Sequence, residues 1–71
     1  MMPPDPRHWL PGYLTTVVGY FVDLGVKELR RRQRLIVLQE EVAFRRRNTP
    51  ALERLQIVER CIHRAMLELC P

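Results

Sequence analysis

Two histidines, two cysteines and one adjacent carboxylate pair make up the reactive side chains of this 71-residue chain. They are His8, His63, Cys61, Cys70 and the pair Glu40-Glu41. None of them forms a catalytic set. The chain contains no serine, so a serine nucleophile is excluded. His63 has Glu59 one helical turn before it, a spacing that predicts a surface pair. Neighbouring carboxylates on a helix point in different directions, so Glu40 and Glu41 do not converge. Gly12, Gly19 and Gly25 follow no predicted strand and therefore make no phosphate-binding loop. A non-enzymatic protein is expected.

The thiols and imidazoles also lack metal-ligand spacing, so neither a metal nor a cofactor is expected. Cys61 and Cys70 stand nine residues apart in one predicted helix. That separation is about 13 Å at about 1.5 Å per residue, beyond the roughly 7 Å that a disulfide can span. Two unpaired thiols predict a reducing, intracellular compartment.

The strongest chemical signal is cationic. Eleven arginines and one lysine set against eight acids leave a net charge of +4. Residues 27–47 alone carry +5 and are bounded by the triplets Arg30-Arg31-Arg32 and Arg45-Arg46-Arg47. On a continuous helix Lys27, Arg30, Arg31 and Arg34 occupy successive turns of one side, and Arg45 returns to nearly the same direction. Such a strip, about 27 Å long, can touch several phosphates through counterion release without reading sequence. Duplicated in a homodimer, it suits double-stranded RNA read by shape. In architecture the arrangement is similar to small viral suppressors of RNA silencing, although no motif of theirs is present. Phe44 is the one aromatic among these arginines, which argues against stacking on single-stranded bases.

The elements that would position these cations follow from proline and apolar spacing. Four of the six prolines fall within the first eleven residues, so residues 1–12 predict an extended arm. Residues 13–71 form the helical domain. Apolar spacing is helical from Tyr13 onward, and no proline interrupts positions 12–49, so one long helix over about 13–47 is predicted. Gly25 is a position at which it would kink, or split to give three helices instead of two. Carried through at about 100° per residue, Leu35, Leu38 and Val42 join the face of Val17 and Leu24, while Ile36 and Ala43 join that of Val18. Asp23→Lys27, Glu28→Arg32 and Glu41→Arg45 are favourable i,i+4 pairs.

Asn48-Thr49-Pro50 ends this helix. Thr49 is the predicted cap of a second helix, about 50–69, whose seam is Ala51, Leu55, Val58, Ile62, Ala65 and Leu69. An all-α antiparallel helical hairpin with unequal arms results. Its overhang, residues 13–26, would lie uncovered and predicts a four-helix homodimer with Val17, Phe21, Leu24, Leu55 and Ile62 at the interface.

Two other functions compete with RNA binding. One is a helical adaptor that docks apolar faces on protein partners. The other is a membrane anchor over residues 9–26, disfavoured by its length, by Pro11 and Gly12, and by Asp23.

Overall fold

The computed structural model describes residues 5–70. Among them every regular element is helical. A 3-10 turn, Pro6–His8, precedes α1 (Pro11–Leu24), α2 (Val26–Arg45) and α3 (Thr49–Leu69). Residues 1–4 of the predicted arm lie outside the described residues.

The predicted helix over 13–47 is two helices. Gly25 separates α1 from α2 with φ 86° and ψ 162°, a conformation that an L side chain adopts only with strain. Its N–H donates to Val22 O at 3.2 Å and its carbonyl accepts from Leu29 N at 3.1 Å. One residue thus closes α1 and opens α2 in a new direction. At about 1.5 Å per residue, α2 and α3 are each about 30 Å long. The longest dimension of the molecule is 35 Å, so they must lie alongside one another.

The break changes what covers residues 13–26. Instead of projecting as an overhang, α1 packs against α3, which also packs against α2. The common core is Val18 and Phe21 from α1, Leu29 and Ile36 from α2, and Cys61, Ile62 and Ala65 from α3. Leu29 and Ile62 are fully buried, and each such side chain contributes about 1.5–3 kcal/mol of transfer free energy. Phe21 and Ile62, expected between two copies, are therefore spent inside one. Val17, Leu24 and Leu55 are half-buried against the same core. The interface inferred from a bare overhang loses its premise.

Polar groups at the helix ends complete the fold. Asn48 N donates to Ala43 O at 2.9 Å and Arg47 N to Phe44 O at 3.0 Å, a Schellman closure of α2. It places Arg47 in the left-handed region at φ 54°, where glycine is the usual occupant. Asn48, not Thr49, caps α3: its Oδ1 accepts from Ala51 N at 3.3 Å, and Thr49 is already helical. The 3-10 turn is held to the start of α3 by ion pairs Arg7–Glu53 (3.6 Å) and Arg54–Asp5 (3.5 Å). Cys61 and Cys70 are free thiols.

Among the described residues no helix is long and apolar enough to cross a membrane.

Candidate binding face on the second helix

α2 carries two apolar stripes, and the fold buries only one. Leu29, Ile36 and Ala43 recur every seven residues and face inward. Leu35, Leu38 and Val42, predicted to share the buried face of Val17, are instead 47%, 59% and 48% exposed. That expectation carried the helical phase through Gly25, and the break resets it. The signal in the sequence for this buried stripe is the seven-residue spacing of Leu29, Ile36 and Ala43.

The five cations expected to meet phosphate, Lys27, Arg30, Arg31, Arg34 and Arg45, are all exposed, as the solvation of charge requires. Their partners differ. Arg31 donates twice to Glu28, Nη2 to Oε1 at 2.8 Å and Nε to Oε2 at 3.1 Å. Arg32 reaches the same carboxylate at 3.2 Å, and Arg45 pairs with Glu41 at 2.6 Å. The Arg31 guanidinium, ahead of Arg32, holds the Glu28 carboxyl down to about 2. Lys27, Arg30 and Arg34 make no ion pair among the described residues. The predicted Asp23–Lys27 pair is absent because Gly25 lies between its partners and ends the helical register.

The arginines and the exposed apolar residues interleave. Arg31, Leu35, Leu38, Val42 and Arg45 follow one another at 4-3-4-3 spacing along the outward side of α2. At its C-terminal end this stripe runs into a groove of about 540 Å³ between α2 and α3. Leu38 and Val42 form one wall and Leu55 and Val58 the other, with Arg46 and Arg54 also lining it. α3's seam is thus closed only along part of its length. Ile62 and Ala65 are fully covered, whereas Ala51, Leu55 and Val58 remain half-buried beside the groove.

One further site crosses the α2–α3 contact. Burial, and then the Glu59 carboxyl facing it from α3, push Glu40 up to about 7. Glu59 therefore faces Glu40, and no ion pair joins it to the exposed His63. Among the described residues no group of three His, Cys, Asp or Glu side chains is placed to hold a metal.

The face offers apolar area in a linear register, with arginines at both ends of it. No protein-family model, curated protein or solved structure matches the chain.

Proposed function

We propose that this protein is a non-enzymatic adaptor whose outward α2 face and adjoining groove dock an acidic amphipathic helix of a partner protein. The observation that supports this reading most is the exposed row Leu35, Leu38 and Val42, set between Arg31 and Arg45 at coiled-coil spacing. Phosphates have nothing to place against three aliphatic side chains. A helix with apolar residues at i, i+3 and i+7 does. The arginines choose its charge: glutamates flanking the partner's apolar seam would meet Arg34 and Arg46, which have no ion pair among the described residues. A second copy of this chain would bring two +5 segments together, so like-charge repulsion disfavours self-pairing through this face.

Double-stranded RNA is the second reading, and a specific observation keeps it: Lys27, Arg30 and Arg34 lie exposed with no carboxylate partner among the described residues. Salt separates the two. A synthetic helix with leucines at 3-4 spacing and flanking glutamates, labelled for anisotropy, should bind and keep most of its affinity as salt rises. Leu38→Glu should abolish that binding by placing an unpaired charge in the groove. A short RNA duplex binding tightly, with steep salt dependence and complete loss in Lys27→Gln/Arg30→Gln/Arg34→Gln, would favour the second reading if the peptide fails to bind.

A further inference from the structure

α3 has a second working side, independent of the α2 groove. Ile57, Arg60, Arg64 and Glu68 lie on the side of α3 opposite Leu55 and Val58. They line a cleft of about 610 Å³ between α3, α1 and the segment around the 3-10 turn. Its depth is apolar: Val18 and Cys61 are buried, and Trp9, Leu14 and Ile57 are half-buried. Gly19 forms part of the α1 wall, and a Cβ placed there would meet nothing within 4 Å. The volume lies within the range of about 300–1,000 Å³ typical of small-molecule sites.

The margin is charged. Arg7, Arg60, Arg64 and Glu68 are exposed around it. Arg7 is already engaged by Asp5 at 2.9 Å and Glu53 at 3.6 Å. Arg60 and Arg64 stand one turn apart on the same side of α3, and neither has an ion pair among the described residues. Glu68, one turn beyond Arg64, does not bridge to it. Two adjacent unpaired guanidiniums repel each other and together present planar, doubly donating heads. An anion held between them would remove the repulsion and accept charge-assisted hydrogen bonds.

We propose that this cleft binds a detached single-chain amphiphile with an anionic head. Its apolar body would lie against Leu14, Val18 and Ile57, and its carboxylate between Arg60 and Arg64. Gly19 leaves room for the chain. Trp9, the only tryptophan of the sequence, flanks the site and packs on Tyr13 with ring centroids 5.1 Å apart. Its emission therefore reports occupancy directly.

The test is a Trp9 fluorescence titration of the full chain with decanoate below its micellar range, beside decylammonium as the cationic counterpart. Decanoate should give a saturable shift that decylammonium does not. Arg60→Gln/Arg64→Gln should weaken decanoate about tenfold or more, the scale of losing hydrogen bonds to a charged group. Gly19→Leu, which fills the cleft from a helical position with open space, should abolish binding while circular dichroism shows unchanged helix content. Equal response to decanoate and decylammonium would overturn the assignment of the anion site. So would wild-type affinity in the Arg60/Arg64 double variant. Undiminished binding in Gly19→Leu would overturn the placement of the chain. Phosphatidylglycerol vesicles should leave Trp9 unshifted, and a shift with vesicles alone would overturn a detached ligand in favour of a bilayer surface.

Discussion

Gly25 and Glu40 each carry a local property that a single substitution tests. At Gly25 the strain that excludes other residues comes from the backbone alone, because a Cβ there would have open space. Gly25→Ala should therefore cost about 1–3 kcal/mol, the range for a non-glycine residue forced into such a region. Urea denaturation followed by circular dichroism measures it; an alanine variant as stable as the parent would mean that the chain accepts a continuous helix here. Glu40 predicts a pH effect. Its carboxyl sits near about 7 in the folded chain against an ordinary value of 4.5, so folding takes up a proton between those values. Stability should fall as pH rises from about 4.5 through about 7 and then level off. Glu28 works in the opposite sense: held down to about 2 from an ordinary 4.5, it stabilises the fold above about 4.5 and loses that contribution as pH falls toward 2. Glu40→Gln should remove the downward slope between pH 5 and 7 in urea midpoints. A slope that persists unchanged would place its origin elsewhere.

Among the helices, α3 was the most legible from sequence and α2 the least. α3 has proline punctuation before it and a regular 4-3 apolar seam, and both survive in the fold with a one-residue shift of its cap. α2 has two apolar stripes of similar quality. Its orientation depends on where Gly25 sends the chain. A glycine inside a helical pattern costs only about 1 kcal/mol, too little to dictate a break. Tertiary packing decided it, and Leu29 took the position that Leu35 and Leu38 were expected to hold. The cations were legible because their charge keeps them in water wherever the helix turns. The apolar half of the candidate face was not, since only the packed structure says which stripe stays outside. Two truncations separate the stripes. Ile62→Ala should cost about 2–5 kcal/mol, whereas Leu38→Ala, 59% exposed, should stay within about 0.5 kcal/mol. Comparable losses in urea unfolding would show that Leu38 supports the fold and not a partner.

The molecule as a whole is small, and a chain of this length buries only about 60% of its unfolded surface. Anything that binds the folded state adds stability by mass action, so a partner on α2 would matter for persistence as well as for recognition. The two sides of α3 face different surfaces. One helps close the α2 groove, where apolar residues meet arginines; the other lines the Trp9 cleft with Arg60 and Arg64, which have no ion pair among the described residues. Charge is concentrated on α2 and its C-terminal turn, with residues 27–47 carrying +5 and the rest of the chain −1. On the proposed function, α2's exposed leucines, not its cations alone, form the interface. The measurement that tests it most directly is a heteronuclear NMR titration of the labelled chain with the acidic amphipathic helix. Leu35, Leu38, Val42, Leu55 and Val58 should show the largest saturable shifts. Shifts confined to Lys27, Arg30 and Arg34 and erased by salt would contradict a leucine-based interface and leave α2 a purely electrostatic surface.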